Sequence, residues 1–172
     1  HDKSDGFFRR QIVLTTKERY ALPVKVAIRP ADKENYLRLS KPFLLAQGRE
    51  KFLSHSHYAW IDYDYLRYPV YERAALDWET LCTDKIVLAT VGGQVDTSMF
   101  MVPEERLSPL CREVQYRCGA RLAAGQALPA EGELWQELLH DLLDWFTIIE
   151  LPAFGGLLDL TMLSRSEEFH VQ

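Results

Sequence analysis

The sequence predicts an α/β domain, a mostly parallel or mixed sheet flanked by helices. Three observations carry that expectation. Short apolar runs rich in β-branched and aromatic residues recur along the chain, at 12–16, 24–28, 58–61 and Ile86–Val91. Segments of helical period are interleaved with them and come after them. Glycine and proline punctuate the boundaries at Pro30, Gly92, Gly93, Pro103 and Pro152. Strands alternating with helices favour a layered domain in which parallel strands are joined by helical crossovers. At 172 residues the chain is one domain by size, residues 1–172. Its start at His1 rather than Met is the start expected of an excised or processed piece of a longer protein.

The elements run in order. Residues 1–6 are polar and predict a frayed start. Residues 12–16 are strand-like, and Val24, Val26 and Ile28 alternate with Lys25, Ala27 and Arg29 as in a strand with one wet face. Residues 34–54 read as helical, with Tyr36, Leu37, Leu39, Phe43, Leu44, Phe52 and Leu53 apolar and Pro42 near a start or break. Residues 58–61 (Tyr, Ala, Trp, Ile) predict a buried strand running straight into Asp62. A loop around Pro69 leads to a short helix with Ala74, Ala75, Trp78, Leu81 and Cys82 inward. The run Ile86–Val91 is the clearest strand, Gly92 and Gly93 form a turn, and 97–102 is strand-like. Leu107, Leu110, Cys111, Val114, Cys118 and Leu122 mark an amphipathic helix, with Ser108 and Pro109 an alternative start. Leu134, Trp135, Leu138, Leu139, Leu142 and Leu143 mark another, and 146–151 a late strand.

Composition narrows the function classes. Apolar residues make up 47% and charged residues 26%, an ordinary globular mix. The formal charge of −5, with Lys and Arg spread along the chain, argues against nucleic acid as a partner, since phosphate binding needs a concentrated basic patch. No apolar run approaches the roughly 18 residues of a membrane span, and the start lacks a signal-peptide pattern, so a cytoplasmic location is expected. The three cysteines, Cys82, Cys111 and Cys118, lack CxxC spacing and read as small buried apolar residues rather than a disulfide or zinc framework.

The feature that carries chemistry is the pair Asp62 and Asp64 at the end of the predicted strand. Side chains two apart on extended backbone point the same way. At the end of a strand they face the crevice where open α/β sheets bind ligands. Magnesium and manganese take one or two carboxylates together with substrate phosphates, so the pair suits a metal bridging a diphosphate. The competing reading is that Asp62 caps a turn or accepts from loop amides while Asp64 is solvated.

The run 58–64 resembles the strand and D-x-D element of A-type glycosyltransferases, and 36–45 resembles the basic and apolar helix that precedes it. Gly92 and Gly93, with 96–102 after them, resemble the glycine-containing segment and strand on the acceptor side. Among bacterial families the likeness is nearest to the HtrL/YibB-type proteins, whose function is unknown. It covers roughly residues 36–125, and a first nucleotide-binding strand is not evident in residues 1–30. The resemblance implies a glycosyltransferase A-like fold and transfer from a sugar nucleotide to an acceptor, with Mn²⁺ or Mg²⁺ as cofactor. It implies that Asp62 and Asp64 hold the metal and diphosphate, that Arg38 and Lys41 contact phosphate, and that Asp96 lies near the acceptor as a catalytic residue. For Arg38 and Lys41 the plain alternative is a solvated helix face, and for Asp96 a turn residue. For the whole chain it is a non-catalytic binding or interaction module.

Other patterns carry less. His55 and His57 have the spacing of an H-x-H metal pair but also of a plain loop. Glu133, Glu137, His140, Asp141 and Asp144 read as a solvated helix face, and His170 as a tail histidine that could complete a metal site. The aspartate pair also resembles the start of haloacid dehalogenase-type phosphatases, but Tyr65, Leu66 and Arg67 replace the small turn those enzymes use. G-x-S-x-G, P-loop and G-x-G-x-x-G patterns are missing.

Overall fold

The structure is a computed structural model, and it describes residues 29–51, 55–62 and 81–151. The expected strands at 12–16 and 24–28, the helix around 74–80, Asp64, His170 and the tail lie outside the described residues. The chain divides into two compact units, His1–Leu53 with Leu107–Leu134 and Ser54–Arg106 with Trp135–Gln172.

The elements of the first unit among the described residues are helical. A 3-10 turn, Pro30–Asp32, leads into α1 (Lys33–Leu39) and α2 (Lys41–Lys51). Pro42 sits in the first turn of α2, where its missing N–H costs nothing. Most of α3 (Glu104–Ala123) also belongs here, and it buries Leu107, Leu110, Cys111, Val114 and Cys118, the helical stripe that the sequence predicts. The helix begins at Glu104, so Pro109 lies inside it rather than at its start. Two contacts tie α2 to α3: the Arg49 guanidinium donates to Ser108 Oγ at 3.0 Å, and the Cys111 thiol points at the Pro42 carbonyl at 3.4 Å. Burial pushes the Cys111 thiol up to about 12, so it stays a neutral apolar filler.

Among the described residues the second unit holds a four-stranded mixed sheet in the order β1–β3–β2–β4, formed by β1 (His57–Ile61), β2 (Ile86–Val91), β3 (Gln94–Pro103) and β4 (Phe146–Glu150). Pairing is antiparallel for β1 with β3 and for β2 with β3, and parallel for β2 with β4. The sheet is thus less parallel than the strand–helix alternation alone suggests. The physical reason is the Gly92 and Gly93 turn: both glycines have positive φ, +57° and +80°, the backbone of a two-residue hairpin that forces β2 and β3 antiparallel.

One sheet face buries Val87, Ala89, Met99 and Met101 with Leu81 and Leu151. Toward the other, Trp135 of α4 (Glu131–Asp141) packs its ring on Phe100 and Phe146, at centroid distances of 5.0 and 6.4 Å. Those aromatic contacts anchor the later turns of α4 to β3 and β4.

Three expectations need correction. The strand at 58–61 is half-buried rather than buried, and Ile61 is 42% exposed, because β3 is its sole partner among the described residues. Cys82 is exposed, unlike its neighbour Leu81. The second helix ends at Asp141: Leu142 leaves helical backbone (φ −128°, ψ 41°), a 3-10 turn Leu143–Trp145 comes next, and Leu143 turns out of phase to solvent. Among the described residues no helix is long and apolar enough to cross a membrane.

Candidate functional site

The end of β1 meets an irregularity in β3. The register of β2 on β3 runs Val87 to Met101 and Leu88 to Phe100, then jumps to Ala89 with Asp96. Thr97, Ser98 and Met99 are thereby left over on the β3 side, an extended bulge. Bulges re-aim side chains and gather near active sites. On its other edge β3 keeps pairing with β1, Ile61 opposite Met99, and the Asp62 N–H continues the ladder by donating to the Ser98 carbonyl at 2.7 Å.

Asp96 builds the bulge. Its Oδ1 accepts the Ser98 N–H at 3.0 Å and the Ser98 hydroxyl at 2.6 Å. An aspartate that bonds the backbone two residues on makes an Asx-type turn, so the local sequence Asp96, Thr97, Ser98 suits this bend. Asp96 is 5% exposed. The turn role is therefore present in the structure, and it also brings a buried carboxylate to the residue that receives Asp62.

Asp62 itself is half-buried. Its Oδ1 accepts the Trp60 indole N–H at 2.6 Å. Trp60 and Asp62 are two apart on extended backbone and share a side, which makes that bond possible. The indole fixes one carboxylate oxygen with a neutral donor. Ser98 thus links Asp62 and Asp96 through three hydrogen bonds, while Asp64 lies outside the described residues.

The basic residues are arranged differently. Lys41 is buried in the helical unit, and its Nζ lies 3.0 Å from Glu131 Oε2 and 3.1 Å from Oε1. Lys41 is therefore a buried ion-pair partner, not part of a solvated helix face. Arg38 is on the exposed face of α1 and pairs with Glu34 one turn earlier at 2.8 Å.

Both ring nitrogens of His57 have hydrogen-bond partners. His57 opens β1 with Nδ1 at 2.8 Å from Ser56 Oγ and Nε2 at 2.6 Å from the Thr83 carbonyl, and His55 packs edge-on against Tyr58. His140 is exposed beside Asp141, as expected of a solvated face. Among the described residues no three His, Cys, Asp or Glu side chains converge as a metal cage. Magnesium and manganese sites do not require one, because phosphates and water complete the shell.

Sequence reasoning missed Ser98 and Glu150. The Asp-x-Ser spacing at 96–98 is a readable Asx-turn signal. Glu150 is not readable: its carboxylate accepts the Thr90 hydroxyl and, at 2.8 Å, the Gly92 N–H, 58 residues away. The Thr90 hydroxyl and the Gly92 and Gly93 amides hold the Glu150 carboxyl below the usual glutamate range. Compared with known proteins, the chain matches no protein-family model, no curated protein and no solved structure.

Proposed function

We propose that the chain carries out metal-dependent glycosyl transfer from a sugar nucleotide to an acceptor. The observation that supports this reading best is the meeting of the β1 end with the β3 bulge, where Ser98 joins the half-buried Asp62 to the buried Asp96. In this reading Asp62 and Asp64 hold Mn²⁺ or Mg²⁺ with the diphosphate of the donor. An ion held there would supply positive charge to the departing diphosphate. The Trp60 indole orients the Asp62 carboxylate, and Asp96 shapes the acceptor side. Lys41 faces Glu131, so it is not carried forward as a phosphate contact.

A second reading has specific support. Lys41 and Glu131 form a buried pair, Arg38 bonds Glu34, and Asp96 holds a turn, so each of these residues has a structural task. That pattern suits a non-catalytic α/β binding or interaction module. Thermal melting with Mn²⁺ and UDP or GDP separates the two. A ligand of the native state at about 100 times its Kd stabilises by about 2.7 kcal/mol. Glycosyl transfer predicts a raised midpoint that disappears in Asp62→Ala and Asp64→Ala. An unchanged midpoint with either nucleotide sinks that reading and leaves the module.

A further inference from the structure

Glu150 ends β4 directly opposite Thr90 in the parallel register of β2 and β4. Its carboxylate clasps the hairpin turn. Oε2 accepts the Thr90 hydroxyl and Oε1 accepts the Gly92 N–H at 2.8 Å. From α4, the Gln136 side-chain amide donates to the Gly93 carbonyl at 2.8 Å. The turn is held on both its amide and its carbonyl side.

That turn sets the course of β3. In a hairpin the turn fixes the register, and a slip of one residue sends every side chain to the opposite face. The register after this turn places Gln94 on Val91, Val95 on Thr90 and Asp96 on Ala89. Asp96 is buried in that register and holds Ser98, whose carbonyl receives the Asp62 N–H. Two glycines at positive φ make a turn with little stiffness of its own. A distant carboxylate that bonds the Gly92 amide and the Thr90 hydroxyl, with Gln136 on the Gly93 carbonyl, supplies the stiffness.

We propose that Glu150 is a positioning residue for the acidic site: by clasping the Gly92 and Gly93 turn it fixes the hairpin register that buries Asp96 and presents Asp62. Its role toward a cation rests on the glycosyl-transfer reading; its role toward the backbone does not. Glu150 touches none of the proposed reacting groups and acts through the turn.

The test uses the full chain as wild type, Glu150→Ala and Glu150→Gln, with amide hydrogen exchange read at Gly92, Ser98 and Asp62 and Mn²⁺ affinity read by titration. Glu150→Ala is expected to speed exchange several-fold at all three amides and to weaken Mn²⁺ binding several-fold. Glu150→Gln keeps a carbonyl oxygen for the Gly92 N–H and is expected to restore part of both, which a general loss of stability would not do. Thr90→Val, which removes one donor to the clasp, replaces Glu150→Ala if that variant does not fold. Faster exchange confined to Gly92, with Ser98 and Asp62 unchanged, overturns the proposal, as does unchanged Mn²⁺ affinity in Glu150→Ala. If the wild type takes up no Mn²⁺, the cation reading fails, and exchange at Ser98 and Asp62 alone decides for or against positioning by Glu150.

Discussion

The two compact units treat buried charge in opposite ways. In the helical unit a buried cation meets a buried anion: Lys41 and Glu131 side chains are 8% and 7% exposed and lie 3.0 Å apart. In the sheet unit the buried Asp96 carboxylate meets the amide and hydroxyl of Ser98, and Asp62 meets an indole N–H. The buried lysine meets a carboxylate far away in sequence, whereas the Asp96 and Asp62 contacts come from donors two residues away. The difference teaches that buried charge is a long-range tie in one unit and a local shaping element in the other. It also explains why a lysine chosen for phosphate contact is a structural partner instead.

Breaking the ion pair is the largest expected effect. Lys41→Met takes the cation from beside the buried Glu131 and should cost about 3–5 kcal/mol in urea unfolding, as removal of one member of a buried pair does. The double change Lys41→Met with Glu131→Leu should recover most of that, because two apolar groups need no compensation. A single variant that costs under about 1 kcal/mol would show that the pair does not matter to the helical unit.

The sheet unit should respond more mildly and in a way that depends on shape rather than charge. Asp96→Ala strips the Ser98 amide and hydroxyl of their acceptor and should cost about 1–3 kcal/mol. Asp96→Asn keeps the acceptor oxygen and should stay within about 1 kcal/mol of wild type in the same measurement. Equal losses in both variants would mean that charge, not the Asx-type turn, is what the bulge needs.

The smallest effect belongs to the exposed Glu150. Its carboxyl is held below its ordinary value of 4.5 by the Thr90 hydroxyl first, then by the Gly92 and Gly93 amides, against an opposing effect of burial. A depressed carboxyl contributes stability that is present above the unfolded value and is lost as pH falls through the folded one. The melting midpoint of wild type should therefore fall more steeply below about pH 4.5 than that of Glu150→Gln. Parallel curves would show that the clasp does not depend on an ionised carboxylate.

Much of the fold was legible in the sequence. The stripe Leu107, Leu110, Cys111, Val114 and Cys118 buries as its period requires, and Ile86–Val91 is the buried strand that its β-branched run predicts. Strand direction was less legible, because period and propensity locate strands without orienting them. Here the Gly92 and Gly93 turn decides the matter for β2 and β3. Leu142 and Leu143 fit a helical stripe in sequence, yet the helix ends before them, since a stripe carries no stop signal of its own. At the site, Asp62 and Asp96 could be named individually. Their link through Ser98 needs the bulge, and the Glu150 clasp needs the β2–β4 pairing. Lys41 misled for a related reason: a basic residue at a helix start looks solvated until its partner, 90 residues on, is in place.

In the glycosyl-transfer reading, Asp62 helps to hold a divalent cation beside a nucleoside diphosphate, and the other assignments depend on that one. The most direct measurement is a Mn²⁺ titration in the presence of UDP, tracking the electron paramagnetic resonance signal of the free ion, for wild type and Asp62→Asn. Saturable uptake by wild type, weakened about tenfold or more in Asp62→Asn, is the predicted result. No saturable uptake by wild type, or equal uptake by both proteins, would contradict it.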